Sequence, residues 1–407
     1  MKKGWENKTL AEVCDFENGD RGQNYPSKSF RTISGIPFIN AGHLKDGSID
    51  FHEMDYIPKE RYYLLGNGKI RKNVVLFCLR GSLGKFACVG ELNKGAIASS
   101  LVILRTKSII ELKYLLAYLG SQLCADMIRK YRNGAAQPNL SATNLKNFII
   151  PLPPLPEQKR IVAILDEAFS AISKAKENAE KNLQNARELF ESYLQSVFAN
   201  PGKGWEKKNL GEVCDFVRGP FGGTLKKSCF KPKGIAVYEQ QHAIYDQFEE
   251  IRYFIDEKKF NEMQRFEVAP GDLIMSCSGT MGKVAIVPDK VRKGIINQAL
   301  LKLSPKKNLL AKFLKLWMGS LSFQDQIAKN SLGAAIKNVA SVKTLKEIDV
   351  LLPPVSEQKH IIAKLDALSI ETKKLETIYQ QKLADLEELK KSILQKAFNG
   401  ELTEACS

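Results

Sequence analysis

The sequence contains no apolar run that approaches the ~20 residues needed to span a bilayer, so we expect no transmembrane helix. Its opening residues, Met1–Trp5, lead directly into polar sequence, which predicts no signal peptide. Cysteine is scarce, with 8 residues in 407 and no CxxC pair, a usage typical of free thiols in a reducing compartment. Together these absences predict a cytoplasmic protein.

Motifs that carry catalysis or bind metals are missing as well. The 4 histidines and the scattered cysteines show no zinc-ligand spacing. We find no nucleophile elbow, no glycine-rich dinucleotide loop and no Asn-Pro-Pro-aromatic motif of the amino-methyltransferases. We therefore expect no catalytic residue, no metal and no cofactor in this chain.

Two Gly-x-x-Gly-Lys stretches, Gly81–Lys85 and Gly279–Lys283, have the outline of a phosphate-binding loop. A Walker loop needs a further upstream Gly and a Ser or Thr after the Lys, whereas Phe86 and Val284 follow the lysines here. The stretches are therefore either tight turns between strands or turns whose amides and lysine contact a DNA phosphate.

Positive charge, in contrast, is in excess. Lys and Arg number 61 against 45 Asp and Glu, a formal net charge of +16 that indicates a polyanionic partner, nucleic acid before membrane. The hydrophobic content of 44% and the charged content of 26% are those of a globular protein. A chain of 407 residues predicts two or three domains.

The chain repeats itself at a period of about 200 residues. Residues 3–16 read KGWENKTLAEVCDF and residues 203–216 read KGWEKKNLGEVCDF. The two Gly-x-x-Gly-Lys stretches and two Gly-Ala-Ala sequences, at 134–136 and 333–335, recur in the same order. Between these anchors, short apolar pieces predict strands, and 112–129 and 309–329 predict amphipathic helices. Each copy should therefore form a mixed α/β globule.

Each copy ends in a Leu-Pro-Pro connector followed by Glu-Gln-Lys and roughly 40 residues without Pro or Gly. Proline is tolerated at a helix start but not inside a helix, so the pattern predicts two long helices. Their apolar residues follow a 4-3-4-3 spacing, which predicts a coiled coil between them. The alternative is two separate helices, each packed on its own globule. The seam residues that we also expect to help dock partners are Ile161, Leu165, Ile172, Asn182, Leu189, Leu365, Leu375, Lys382, Leu386 and Leu389.

Taken in order over essentially the whole chain, these features resemble the specificity subunit of type I DNA restriction-modification enzymes, the HsdS family. The resemblance implies an α+β fold of two mixed α/β target-recognition domains, joined by two long helices that form an antiparallel coiled coil with a pseudo-twofold internal repeat. The first target-recognition domain would be residues 1–151 and the second would be residues 201–351. The first long helix would be residues 152–200 and the second would be residues 352–407.

The resemblance also implies a function. Each target-recognition domain would read one half of a split, asymmetric DNA site, and the paired helices would set the spacing between the halves. The helices would dock two modification (methyltransferase) subunits that bind S-adenosylmethionine and methylate adenine. Restriction (motor-nuclease) subunits would join them, so that ATP and Mg²⁺ also belong to partner subunits.

In the major groove, Arg and Lys suit guanine, and Asn and Gln suit adenine. The DNA-binding candidates in the first half are Arg21, Asn24, Tyr25, Lys28, Arg31, Arg61 and Lys85. Those in the second half are Lys226, Lys227, Gln240, Gln241, His242 and Lys283. Two other classes remain open: a structural adaptor that bridges proteins, and a self-contained nuclease or methyltransferase with an unrecognised motif.

Overall fold

A computed structural model of the chain describes residues 2–134, 138–221, 223–278, 280–330 and 342–403. Gly279 and the Gly-Ala-Ala residues 135–136 and 333–335, singled out in the sequence, lie outside this part. The chain forms two compact units, of which unit 1 comprises residues 1–180 and 381–407 and unit 2 comprises residues 181–380. Each unit contains one globular part and one segment of each long helix.

Unit 1 contains short elements followed by the start of the first long helix. In chain order its elements are β1 Glu6–Thr9, α1 Leu10–Val13, β2 Cys14–Asn18, β3 Ile36–Ile39, β4 Leu44–Lys45, β5 Ser48–Ile49, β6 Asp55–Ile57, α2 Lys59–Leu64, β7 Val75–Cys78, β8 Phe86–Cys88, β9 Ala96–Ile97, β10 Leu101–Thr106, α3 Leu112–Leu119, α4 Gln122–Tyr131, α5 Ala142–Lys146 and β11 Ile149–Leu152. The first long helix is α6, Leu155–Ala199.

Unit 2 repeats this order, with a helix in place of the β4–β5 hairpin. Its elements are β12 Glu206–Asn209, α7 Leu210–Val213, β13 Cys214–Arg218, β14 Ile235–Tyr238, α8 Gln240–Tyr245, β15 Tyr253–Ile255, α9 Glu257–Glu262, β16 Leu273–Ser276, β17 Val284–Ile286, β18 Gly294–Ile296, β19 Leu300–Pro305, α10 Ala311–Gly319, α11 Leu321–Asn330, α12 Val342–Lys346 and β20 Asp349–Leu352. The second long helix is α13, Val355–Asn399.

The sheets of the two units match strand for strand. An antiparallel four-stranded sheet has the order β2-β10-β7-β8 in unit 1 and β13-β19-β16-β17 in unit 2. A mixed three-stranded sheet, β6-β3-β9 or β15-β14-β18, contains one parallel pair. A two-stranded ladder, β1-β11 or β12-β20, brings the start of each repeat beside its Pro-Pro connector. The predicted mixed α/β class and internal repeat are confirmed.

The central strands are apolar throughout because both faces of the four-stranded sheet are buried. In β7, Val75 and Phe77 face the cluster that contains Tyr114 of α3, while Leu76 faces the opposite cluster. Alternate side chains of a strand point to opposite faces, so two cores need this continuous run.

The helix predicted over 112–129 is in fact two helices, α3 and α4. Gly120 ends α3, and the Ser121 hydroxyl accepts a hydrogen bond from the Cys124 amide (3.3 Å), which starts α4. The helix predicted over 309–329 divides in the same way at Ser320. A hydroxyl that caps a helix start outweighs the continuity of the apolar pattern.

A buried glutamine fixes the start of each long helix, which explains the repeated Glu-Gln-Lys sequence. The Gln158 side chain accepts from the Glu111 amide (2.8 Å) and donates to the carbonyls of Ile109 (3.0 Å) and Pro153 (2.8 Å). Gln358 makes the same three bonds in unit 2, at 2.8–2.9 Å. Both glutamines are fully buried, and each joins its long helix to the loop before α3 or α10.

The glutamate before each glutamine accepts hydrogen bonds from residues that are distant in the sequence. In unit 1, Glu157 accepts hydrogen bonds from Lys2 (3.3 Å) and from Thr403 (2.6 Å), and Lys2 also donates to Thr403 (2.8 Å). In unit 2, Glu357 accepts from the Trp205 indole (2.8 Å). Residues near the two chain ends thus meet in unit 1.

The long helices pack antiparallel, as predicted, and not as separate helices. In unit 1, Ile161 and Leu165 near the start of α6 share a core with Leu394 and Phe398 near the end of α13. In unit 2, the end of α6 meets the start of α13 in the same manner, with Leu194 and Phe198 against Ile361 and Leu365. No helix in the described ranges is long and apolar enough to cross a membrane.

The buried line along these helices drifts away from the predicted seam. Asn182 and Lys382 are exposed, and the next residues, Leu183 and Leu383, are half-buried instead. Further along, Leu189 is 50% and Leu389 47% exposed. An α-helix has about 3.6 residues per turn, so a strict seven-residue pattern rotates off the contact by about 20° per heptad. Ile172, Leu375 and Leu386 are half-buried, and Ile161 and Leu165 are buried.

Candidate nucleic-acid interface

In unit 1, the loop after β2 and helix α2 form one surface. The Asn24 amide donates to the Leu64 carbonyl (3.1 Å), and Arg61 donates to the Tyr25 carbonyl (3.4 Å). The Arg61 guanidinium also lies 4.0 Å from the centre of the Phe30 ring. The structure thus brings together three predicted DNA-binding residues from distant parts of the sequence.

Two further candidates border this surface and one is anchored beneath it. Lys28 is exposed, and Arg21 is exposed with a long hydrogen bond to the Ser99 carbonyl (3.3 Å). Arg31 is half-buried and forms an ion pair with Asp55 (2.7 Å). A pair held in this way stabilises the loop, and only about a quarter of each side chain is exposed.

Sequence reasoning missed a lysine beside this surface. Lys94 donates to the Tyr63 hydroxyl (3.1 Å), and its charge and hydrogen bond lower the pKa of that tyrosine. The Lys94 ammonium also lies 5.4 Å from the centre of the Tyr62 ring. The adjacent tyrosines Tyr62 and Tyr63 on α2 were visible in the sequence as a possible stacking surface. No local pattern connects them to a lysine about thirty residues away.

The corresponding surface of unit 2 contains a stacked aromatic pair. Phe230 and Tyr253 stack with ring centroids 4.4 Å apart and planes 19° apart, and the Arg252 guanidinium lies 4.9 Å from the Tyr253 ring. Lys226 is exposed, as is Lys227. Phe221, in the preceding loop, is 92% exposed. Aromatic rings beside free lysines are typical of surfaces that contact nucleic acid.

The three neighbouring candidates of helix α8 make hydrogen bonds within unit 2. Gln240 donates to Ser278, including its hydroxyl (3.2 Å), and Gln241 donates to the Glu250 carbonyl (3.2 Å). His242 is fully buried. Its Nδ1 accepts from the Glu239 amide (2.9 Å) and its Nε2 donates to the Glu250 carbonyl (3.1 Å).

His242 therefore presents no exposed ring atom to a ligand in this structure, and its DNA contact stays a prediction. Burial lowers the pKa of its ring. His43 occupies the same place in unit 1, where its Nδ1 accepts from the Asn40 amide (3.1 Å). In both units a histidine three residues after the helix cap accepts a hydrogen bond from the amide of the cap residue. The sequence alone gave no sign that these histidines are buried.

The Gly81–Lys85 stretch and the described part of its counterpart, residues 280–283, form tight turns between strands. The Cys78 amide donates to the Lys85 carbonyl (2.7 Å) in unit 1, and Ser276 donates to the Lys283 carbonyl (2.9 Å) in unit 2. Gly84 and Gly282 have φ values of 82° and 74°, which favour glycine. The Lys85 and Lys283 side chains are exposed at equivalent positions, so the phosphate-contact prediction stays open.

The candidate residues lie in loops and turns that belong to two different sheets of each unit. The loops around β3 and β14 carry most of them, while Lys85 and Lys283 belong to the turns of the four-stranded sheets. Within the part of the chain that the structure describes, no three His, Cys, Asp or Glu side chains are grouped to hold a metal ion. The geometry can offer stacking, hydrogen bonds and positive charge to an anionic polymer.

Comparisons with known proteins agree with this geometry. The family model described as the type I restriction modification DNA specificity domain matches residues 2–181 and again 202–386. The EcoKI specificity subunit of Escherichia coli K12 is 24% identical over 99% of this chain and 90% of its own length. The EcoBI specificity subunit of Escherichia coli is 26% identical over 65% of this chain and 60% of its own length. A solved chain from work on complex assembly and conformational transition of a type I R-M system has a TM-score of 0.77, at 22% identity and 99% coverage of both chains.

Proposed function

Since the chain belongs to the type I restriction-modification DNA specificity family, we propose that it recognises a bipartite, asymmetric DNA target, one half-site per unit. The observation that carries the proposal is that two equivalent positions of the repeated fold hold different side chains in the two units. Where unit 1 has the Arg31–Asp55 ion pair, unit 2 has the Phe230–Tyr253 stack. Two different surfaces on one fold suit two different half-sites.

Charge supports a duplex as the ligand. A net charge of +16 favours phosphate neutralisation, and counterion release makes such binding fall steeply with added salt. The exposed Lys28, Lys226 and Lys227 side chains lie beside the polar and aromatic groups that would read bases. A purely structural adaptor would instead bind DNA weakly and with little dependence on salt.

We further propose that the chain is non-catalytic and acts with partner subunits in the cytoplasm. Two modification subunits would dock on the long helices and supply S-adenosylmethionine-dependent methylation. Restriction subunits would supply ATP- and Mg²⁺-dependent cleavage. The exposed apolar residues of the helices, Leu189 and Leu389 among them, suit contacts with other helices.

The test is a selection from a randomised duplex pool with the full chain and the modification subunit of its own system. We expect a split consensus whose two halves differ, and an affinity that falls steeply between low and physiological salt. Exchange of residues 17–150 for the corresponding domain of another specificity subunit should change one half of the consensus and leave the other.

Two results would contradict this proposal. One is a consensus that survives the exchange unchanged. The other is methyl transfer or metal-dependent cleavage by the isolated chain, which would place the chemistry here and not in partners.

A further inference from the structure

Unit 1 contains a cleft of about 740 Å³ beside its two long-helix segments. One wall is the β4–β5 hairpin with its Asp46-Gly47 turn, and the opposite wall is α3 with the adjoining segments of α6 and α13. The floor is apolar, formed by the half-buried side chains of Phe86, Leu116 and Phe169. A volume of this size is in the range of specific ligand sites.

The rim of the cleft carries more positive than negative charge. Four lysines and two aspartates line it: Lys45, Lys85, Lys113, Lys390, Asp46 and Asp166. Lys113 pairs with Asp166 (2.7 Å), and Lys45 pairs with Asp50 on the hairpin. Lys390 lies 5.3 Å from the centre of the Phe169 ring, and Lys85 is exposed. The cleft therefore offers an apolar surface with cations at its edge.

Unit 2 allows a direct comparison because its helix α10 occupies the place of α3. The ion pair between α3 and the first long helix, Lys113 with Asp166, recurs as Lys312 with Asp366 (2.6 Å). The buried pairs Tyr114-Leu115 and Phe313-Leu314 also correspond. The two helices are thus aligned residue by residue, and Leu116 corresponds to Lys315.

This difference removes one link between the two walls. In unit 2, Lys315 forms an ion pair with Asp246 (2.6 Å), which ends α8 in a left-handed conformation at φ 51°. In unit 1, Asp46 has the same conformation at φ 48°, but Leu116 faces the cleft and cannot pair with it. The link that ties the two walls together in unit 2 is therefore missing in unit 1.

We propose that this cleft binds an acidic, apolar-anchored segment of a protein partner. Its apolar side chains would cover Phe86, Leu116 and Phe169, and its carboxylates would pair with Lys85 and Lys390. The identity of the partner, a modification subunit, rests on the function proposed above. The cleft itself does not.

Charge and surface chemistry favour a peptide over a nucleic acid. Asp46 and Asp166 interrupt the row of lysines, an arrangement that suits separate carboxylates better than a continuous chain of phosphates. The apolar floor would also leave a sugar-phosphate backbone without hydrogen-bond partners. Apolar side chains gain from covering that floor.

The test uses the full chain and a phage-displayed library of random peptides. Selection on the wild type should enrich peptides that combine large apolar residues with Asp or Glu. Leu116→Lys introduces the unit 2 ion pair, so it should weaken binding of an enriched synthetic peptide by about tenfold or more in fluorescence anisotropy. Leu116→Met keeps an apolar wall and should change the affinity by less than about threefold.

Other variants guard against a folding artefact. Ala117→Leu takes the residue of unit 2, Leu316, and should fill the cleft and also weaken binding. Unchanged melting temperatures would show that both variants fold. DNA binding should be the same in all variants, which separates failure of this inference from failure of the proposed function.

Several results would overturn the inference. These are enrichment of no apolar and acidic sequence, equal affinity of the peptide for wild type and Leu116→Lys, and displacement of the peptide by duplex DNA.

Discussion

The two units place different chemistry on one scaffold. At the edge of the three-stranded sheet, unit 1 has an arginine and an aspartate where unit 2 has two stacked rings. Beneath the surface the difference disappears: Gln158 and Gln358 make the same three hydrogen bonds, and His43 and His242 cap the same turn. The comparison teaches that buried polar contacts fix the framework, while exposed pairs are free to differ.

The largest effect should come from the shared glutamines. Gln158→Leu would remove the side-chain partner of one amide and two carbonyls, one of them in a fully buried bond, at a cost of about 3 kcal/mol in the free energy of unfolding. Gln358→Leu should do the same in unit 2. Tryptophan fluorescence during urea unfolding can separate the units, since Trp5 reports on unit 1 while Trp205 and Trp317 report on unit 2.

The exposed neighbours Lys159 and Lys359 are the matched controls, and their replacement by Ala should change stability little. If either leucine variant were as stable as these controls, the glutamines would not fix the helix starts.

The second prediction exchanges the surface pairs. Arg31→Phe should cost about 2 kcal/mol, because Asp55 is only a quarter exposed and would lose its cation, keeping one bond from Asn40 (3.1 Å). Adding Asp55→Tyr builds the aromatic pair of unit 2 and should recover most of that loss. A double-mutant cycle from urea unfolding measures the coupling, and additive costs would show that the pair is not exchangeable.

The third prediction concerns pH. Burial lowers the pKa of His242 below its ordinary value of 6.5, so the unfolded chain binds this proton more readily than the folded one. The stabilisation is therefore present above about pH 6.5 and is lost as the pH falls below it. Unit 2 fluorescence in urea titrations at several pH values should show this loss. A His242→Asn variant should show a flatter dependence, and identical slopes would refute the assignment.

The smallest effect should come from the ion pairs between the long helices. Lys176 pairs with Glu387 (2.7 Å) in unit 1, and Arg187 pairs with Glu376 (3.1 Å) in unit 2. Both are largely exposed and screened by solvent, so Lys176→Ala should leave the midpoint of urea unfolding almost unchanged. The paired exchange Lys176→Glu with Glu387→Lys should restore wild-type stability in urea unfolding. A cost of several kcal/mol would mean that the helices rely on charge and not on their apolar contacts.

Local pattern was enough to predict the repeat, the strands and the two long helices. Proline at the connectors and a long run without helix breakers act on neighbouring residues only, so they can be read directly. The burial of an individual polar side chain cannot be predicted from local pattern. His242 and Gln158 are fully buried, yet nothing in their sequence neighbourhood distinguishes them from exposed polar residues. The exposure of Asn182 followed from an accumulated rotation along the helix, which a seven-residue pattern does not include.

The sequence predicted the residue types of the candidate site but not the contacts between them. Asn24 and Arg61 do share a surface, but Lys94 joins it only because β9 pairs with β3. Such proximity depends on the order of strands in the sheet, which composition does not encode.

The meeting of Lys2, Glu157 and Thr403 has one more consequence. Residues 400–403 in unit 1 stand where the continuous chain passes from α6 to β12 in unit 2. Side-chain hydrogen bonds thus hold in unit 1 the junction that a peptide backbone holds in unit 2.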